Sequence, residues 1–174
     1  MGDVLLIAGR PGVGKTTLLR TLAADLGPRA GGFYTEEIRE GDRRVGFRLV
    51  TLDGRAAVFA HVRLAARASY RVGRYGVEIE ILERLGVASV REAAARGQVV
   101  LIDEIGKMEL ASAAFCCAVD EVADGPVPLV ATVTLAAHPW ADAFKRRPTV
   151  TLLRLTPTAR DKVLAAARAW LAMR

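Results

Sequence analysis

Residues 9–16, with the sequence Gly-Arg-Pro-Gly-Val-Gly-Lys-Thr, constrain the fold of this chain more than any other segment. They contain two glycines separated by four residues and followed by Lys and Thr. The apolar run at residues 4–8 precedes them and predicts a buried strand. Leucines follow at helical spacing and predict a helix that stops at Gly27-Pro28. This order of strand, glycine-rich loop and helix is typical of a loop whose backbone N–H groups bind phosphate.

Two side chains of this loop have predicted roles of their own. The amine of Lys15 is expected to contact the terminal phosphates, and the hydroxyl of Thr16 to bind Mg²⁺. We therefore expect a nucleoside di- or triphosphate as ligand and Mg²⁺ as cofactor. The residues expected at the nucleotide in this part of the chain are Gly9, Arg10, Pro11, Gly12, Val13, Gly14, Lys15, Thr16 and Thr17.

Composition is that of an ordinary globular protein, with 174 residues of which 52% are hydrophobic and 25% charged. We expect a single domain spanning residues 1–174, without a membrane span, because no apolar run approaches about 20 residues. The adjacent Cys116 and Cys117 cannot join distant segments, so we expect two small buried residues in a cytoplasmic protein. We also expect a monomer.

The net charge of +6 allows a polyanionic partner. However, the basic residues are spread along the chain and form no block interleaved with aromatic residues. A phosphate site and a solvated surface account for most of the charge. Nucleic acid is therefore not the expected ligand.

Short apolar runs alternate with helical segments, which predicts an α/β fold: a mostly parallel sheet with helices on both faces. Residues 33–38, 45–52 and 56–62 look like strands joined by turns, and they predict an antiparallel extension. An Arg-rich segment follows at residues 63–74. Further strands are expected at residues 99–102, 129–133 and 150–155, and a last helix is expected to have Thr156 as N-cap and Pro157 as its first residue.

The apolar strand at residues 99–102 runs directly into Asp103 and Glu104. A carboxylate at the end of a buried strand beside a phosphate-binding loop is suited to anchor the Mg²⁺ shell, so Asp103 is predicted to be a metal ligand with Thr16. The neighbouring Glu104 is predicted to activate a water against the γ-phosphate as catalytic base, with Lys15 as the second catalytic residue.

Other polar residues have less specific patterns. Lys107 either partly neutralises the acidic cluster, approaches the nucleotide, or is a surface lysine paired with a neighbouring carboxylate. Thr132 lies near the end of a predicted strand, where many phosphate-loop ATPases have a residue that senses the γ-phosphate. Hydrolysis often uses an arginine at the transferring phosphate. The candidates, for each of which a solvated surface position is the alternative, are Arg71, Arg74, Arg146 and Arg147.

Several segments resemble the THEP-type nucleoside-triphosphatases of thermophilic prokaryotes and their cancer-related vertebrate homologue. Besides the loop, these are residues 32–39 (Gly-Phe-Tyr-Thr-Glu-Glu-Ile-Arg), 72–78 (Val-Gly-Arg-Tyr-Gly-Val-Glu) and 103–110 (Asp-Glu-Ile-Gly-Lys-Met-Glu-Leu). The tail from Ala131-Thr132 to Leu155-Thr156-Pro157 is similar as well. The segments at residues 33–39 and 103–110 are far more specific to this family than the loop is.

The resemblance implies Mg²⁺-dependent hydrolysis of ATP, GTP, CTP and UTP to diphosphate and phosphate, with little base selectivity. It implies a three-layer, RecA-like P-loop NTPase fold in which the strand of Thr132 lies between the loop strand and the Asp103 strand. It also implies nucleotide contacts from Val99, Val100, Leu101, Ile102, Asp103, Glu104, Ile105 and Gly106.

Two other functions fit the same motifs. One is a small-molecule or nucleoside kinase, in which residues 63–74 form a lid over a second substrate. The other is an RNA-associated nucleotide switch, in which turnover times a binding event. Glu104 directly after Asp103 favours hydrolysis over the kinase, because it can position a water.

Overall fold

Nine strands form one sheet in the computed structural model, which describes residues 2–174. The strands are β1 (Val4–Ala8), β2 (Ala30–Glu40), β3 (Arg43–Thr51), β4 (Ala56–His61), β5 (Tyr70–Val72), β6 (Tyr75–Val77), β7 (Val99–Ile105), β8 (Leu129–Val133) and β9 (Val150–Arg154). The α-helices within residues 2–174 are α1 (Lys15–Leu26), α2 (Ile79–Ile81), α3 (Ala88–Ala95), α4 (Ala113–Asp124), α5 (Pro139–Lys145) and α6 (Arg160–Ala172). A π-helical segment, Leu82–Val87, joins α2 to α3.

The sheet order is β5-β6-β4-β3-β2-β7-β8-β1-β9. The five strands from β2 to β9 in this order pair in parallel, and the four from β5 to β3 pair antiparallel with their neighbours. The predicted α/β sheet with an antiparallel extension is therefore confirmed. The strand of Thr132, β8, lies between the loop strand β1 and the Asp103 strand β7, as the resemblance implied.

One long strand joins the parallel and antiparallel parts of the sheet. The first residues of β2, from Ala30 to Phe33, pair in parallel with β7, and the rest, from Phe33 to Glu40, pair antiparallel with β3. The predicted strand at residues 33–38 covers only the antiparallel part. Gly31 and Gly32 follow Ala30 at the start of β2 and obscure that start in the sequence, because glycine is uncommon inside strands.

Both faces of the parallel part are covered by helices. Alternate residues of β1 belong to two separate cores: Val4, Leu6 and Ala8 to one, Leu5 and Ile7 to the other. Buried residues of α3, α4 and α5 complete the first core, and those of α1 and α6 complete the second. A strand covered on both faces is uniformly apolar, which is why β1 could be predicted from the sequence.

Two local predictions were wrong. The last helix begins at Arg160, with Ala159 rather than Thr156 at its N-cap position, because residues 156–159 form a separate turn closed by the Ala159 N–H and the Thr156 carbonyl at 3.1 Å. Cys117 is exposed and Cys116 half-buried, since adjacent residues of α4 point in different directions. No helix of residues 2–174 has the length and apolar composition needed to cross a membrane.

Candidate nucleotide and hydrolysis site

The glycine-rich loop connects the buried strand β1 to α1 and depends on backbone geometry that only glycine adopts readily. Gly12 and Gly14 have φ of 78° and 103°, and Gly14 is the N-cap residue of α1. The loop therefore leads into a helix N-terminus, where unpaired N–H groups and the helix dipole favour a phosphate.

Lys15 is the first residue of α1, and its side chain folds back over the loop. Its ammonium donates hydrogen bonds to the carbonyl of Gly9 at 2.9 Å and to that of Arg10 at 3.4 Å. The same nitrogen lies 3.6 Å from a carboxylate oxygen of Glu104. Lys15 is nearly buried, so its positive charge is concentrated between the loop and the end of β7.

Asp103 links the loop to the neighbouring strands. Thr16 donates its hydroxyl to one carboxylate oxygen of Asp103 and Thr132 donates to the other, each at 2.6 Å. Asp103 is 3% exposed and Thr132 is fully buried. Elements that are far apart in sequence thus meet at a single carboxylate, and the predicted metal ligands Thr16 and Asp103 lie in contact.

Opposing effects act on the protonation of Asp103. Burial raises the pKa of its carboxyl, while the hydrogen bonds from Thr132 and Thr16 and the charge of Lys15 lower it, with a net increase. Hydroxyl and carboxylate oxygens are hard ligands of the kind that Mg²⁺ prefers. These two side chains therefore fit a cation site in which phosphate oxygens supply some of the remaining ligands.

Glu104 follows Asp103 on β7 and faces Lys15. Its pKa is raised, mainly by burial and to a lesser degree by the charge of Asp103, whereas Lys15 lowers it. A carboxylate with a raised pKa is a better proton acceptor than one with an ordinary pKa. The Glu104 side chain also retains 34% exposure. It therefore combines basicity with access to water.

The sequence did not identify a third acid at this site. Glu109 is only 5% exposed, and burial, followed by the charge of Glu104, raises its pKa to about 8. A Cβ added to Gly106 would lie 2.8 Å from a carboxylate oxygen of Glu104 and 3.1 Å from one of Glu109, so the two carboxyl groups flank this glycine. In the sequence, the signal for the burial of Glu109 was its position between the apolar residues Met108 and Leu110.

The other residues at positions 99–106 that were predicted to contact the nucleotide are mostly buried. Val100, Leu101, Ile102 and Ile105 are fully buried in the cores, so their side chains fix the position of the strand that presents Asp103. Val99 is half-buried, and Gly106 is buried beside Glu104. The nucleotide contacts expected of these residues stay a prediction.

The candidate cations outside the loop lie in different surroundings. Lys107 is exposed and forms no ion pair within residues 2–174, which differs from the expected surface pair. Arg147 pairs with Asp120 at 2.6 Å and with Asp124 at 3.1 Å. Arg74 donates to the backbone carbonyl of Arg44, while Arg71 and Arg146 are exposed. The pairing of Arg147 does not favour it as a phosphate ligand.

A family model for NTPase matches residues 4–167. The chain belongs to the NTPase family. It is similar to the nucleoside-triphosphatase THEP1 of Thermotoga maritima, at 42% identity over 92% of this chain and 90% of that protein. The corresponding protein of Aquifex aeolicus is 40% identical over 92% of this chain and 94% of its own length.

Solved structures of this family have the same fold. The crystal structure of THEP1 from the hyperthermophile Aquifex aeolicus superposes with a TM-score of 0.84 at 39% identity, covering 94% of this chain and 96% of that one. The solution structure of a human cancer-related nucleoside triphosphatase gives 0.81 at 34% identity, covering 98% and 97%. The resemblance noted in the sequence is thereby confirmed, and so is the P-loop NTPase fold.

Proposed function

We propose that this protein is an Mg²⁺-dependent nucleoside-triphosphatase that hydrolyses ATP, GTP, CTP and UTP to the diphosphate and phosphate. We further propose that residues 1–174 act as one domain and as a cytoplasmic monomer. The observation that carries the proposal is the pair Asp103-Glu104 at the end of β7. One carboxylate is held by the loop residue Thr16 at 2.6 Å, and the other lies 3.6 Å from Lys15.

In hydrolysis, a water oxygen attacks the γ-phosphorus while the bond to the β–γ bridging oxygen breaks. Glu104 accepts the proton that the water loses, and its raised pKa suits it to that role. Lys15 neutralises negative charge on the transferring phosphoryl group, and the backbone N–H groups of the loop hold the β-phosphate. Thr132 keeps Asp103 in position through its hydroxyl.

Thr16 and Asp103 are the residues that would hold Mg²⁺. When bound, the cation supplies positive charge that offsets the charge developing on the phosphate oxygens.

One observation favours hydrolysis over phosphate transfer to a second substrate. The segment considered as a kinase lid, residues 63–74, is part of the sheet: it contains β5, which pairs with β6, and Arg74 donates to the backbone of β3. A lid has to open and close, whereas these contacts hold the segment against the sheet.

The test is an assay of the full chain with each of the four triphosphates and MgCl₂, without an acceptor. We expect diphosphate and free phosphate in equal amounts from all four, and loss of turnover when EDTA removes the metal. A panel of nucleosides and small alcohols is then added. Phosphate transfer that requires such an acceptor would establish a kinase and contradict the proposal.

A further inference from the structure

The segment that follows β9 is attached to the phosphate-binding loop. β9 lies beside β1, and the N–H of Leu155 donates to the carbonyl of Ala8 at 2.8 Å, one residue before the loop. A Cβ added to Gly9 would lie 2.9 Å from the carbonyl oxygen of Leu155. The chain then makes one turn and enters α6 at Arg160, so the start of α6 is held close to the loop.

Arg160 lies against the loop itself. A guanidinium nitrogen of Arg160 is 3.9 Å from the position that a Cβ would take on Gly14, the residue that caps α1. The side chain is exposed and forms no ion pair within residues 2–174, whereas Arg168, on the same helix, pairs with Asp25 at 2.7 Å. A cation without a carboxylate partner thus lies beside a loop that binds an anion.

The position of Arg160 relative to the sheet indicates which part of a nucleotide it can reach. Asp103 and Thr132 are on β7 and β8, on one side of β1, and Arg160 follows β9, on the other side. Hydrolysis requires the γ-phosphate at Glu104. The other end of the nucleotide, with its ribose and base, therefore extends toward the side of the loop where Arg160 lies.

We propose that the guanidinium of Arg160 binds the nucleotide by stacking on its base. This inference rests on the proposed function, which it deepens by naming a base contact. A planar guanidinium stacks on any aromatic ring, and every base has such a face. Stacking holds the base without reading its edge, so the contact accounts for binding of all four triphosphates by one site.

Calorimetric titration of the full chain with ADP, GDP, CDP and UDP, and separately with pyrophosphate, tests this contact independently of turnover. For Arg160→Ala we expect an increase in Kd of about tenfold for the diphosphates, the scale of a partly desolvated cation–π contact. Pyrophosphate has no base, so its Kd should rise by a clearly smaller factor than the Kd of the diphosphates. Arg160→Lys retains the charge but not the plane, and should recover only part of the affinity.

Arg168→Ala is the matched control, since it removes an exposed arginine of the same helix at a distance from the loop, and it should change neither Kd. The inference is overturned if Arg160→Ala binds the diphosphates like this control. It is also overturned if pyrophosphate loses as much affinity as ADP, because the contact would then be with phosphate. Phosphate release by the unaltered protein is measured in parallel, so a failure of the hydrolase proposal is seen separately.

Discussion

The parallel and antiparallel parts of the sheet differ in whether their charged and hydrogen-bonding side chains are buried or exposed. In the parallel part, Asp103 and Thr132 are each less than 10% exposed and contact one another, and Lys15 of the adjacent α1 is equally buried and contacts the loop. In the antiparallel part, pairs such as Arg48 with Glu36 at 2.6 Å and Arg63 with Glu40 at 2.8 Å lie at the surface.

This difference in burial determines how strongly the loss of a polar or charged partner affects the protein. Buried polar groups interact in a low dielectric, so removing one partner costs much free energy. Exposed ion pairs are screened by water and salt, so removing one partner costs little. We expect substitutions in the parallel part to change activity, protonation or stability strongly. Equivalent substitutions in the antiparallel part should have little effect, and four substitutions test this contrast.

The largest effect is expected from Glu104→Gln, which keeps the shape of the side chain and removes the base. Turnover should fall by about 10²- to 10⁴-fold, the usual contribution of a general base, with little change in KM. The control is Glu36→Gln, which alters an acid of the antiparallel part with a similar exposure of 27% and should turn over normally. Normal phosphate release by Glu104→Gln would show that another group activates the water.

Glu109→Gln should change how stability depends on pH. The pKa of Glu109 is about 8 in the folded protein and 4.5 when unperturbed, so folding favours its protonated form. The stabilisation is therefore complete below about pH 4.5 and is lost as pH rises through about 8, with an upper limit of about 5 kcal/mol.

Denaturant unfolding of the nucleotide-free protein at several pH values from 5 to 9 measures this effect. Between these limits the unaltered protein should lose more stability than Glu109→Gln, because the amide does not ionise. Parallel pH curves for the two proteins would mean that Glu109 is already charged at low pH, contrary to its burial.

Thr132→Val should have a smaller effect on stability. It removes the hydroxyl that donates to buried Asp103, and a buried charged acceptor that loses a hydrogen bond costs about 1 to 3 kcal/mol. Thr132→Ser keeps the donor and should recover most of this loss in the same unfolding measurement. If the serine variant is no more stable than the valine variant, packing rather than the hydrogen bond accounts for the loss.

The smallest effect is expected from Arg48→Ala in the antiparallel part. Its pair with Glu36 is exposed, so the free energy of unfolding should change by less than about 1 kcal/mol, and less in high salt. Turnover should remain that of the unaltered protein. A loss of activity here would show that the antiparallel part contributes to the site and would remove the contrast.

The parts of the fold that the sequence predicted are those where a local pattern has one physical solution. β1, β7 and β8 are covered on both faces and are mostly apolar, and the glycine-rich loop needs residues that tolerate positive φ. Asp103 could be located because it ends such a strand. These features depend on neighbours within a few residues, which the sequence displays directly.

Other features depend on contacts between distant segments. The polar, Arg-rich texture around β5 concealed a short strand that exists because it pairs with β6. The start of α6 was misplaced because a proline in a turn resembles one at a helix start. The burial of Glu109 and the approach of Arg160 to Gly14 both arise from packing of separate elements, and neither leaves a periodic signal.

The hydrogen bonds of Lys15 have a consequence for the kinetics of nucleotide capture. By bonding to the carbonyls of Gly9 and Arg10, the lysine braces the loop from within. An arriving phosphate then meets a backbone that is already in shape, so little chain entropy is lost on association and only the Lys15 side chain has to exchange its partners. We therefore expect nucleotide encounter to be limited by diffusion and orientation rather than by loop rearrangement, with affinity differences among variants appearing mainly in the dissociation rate.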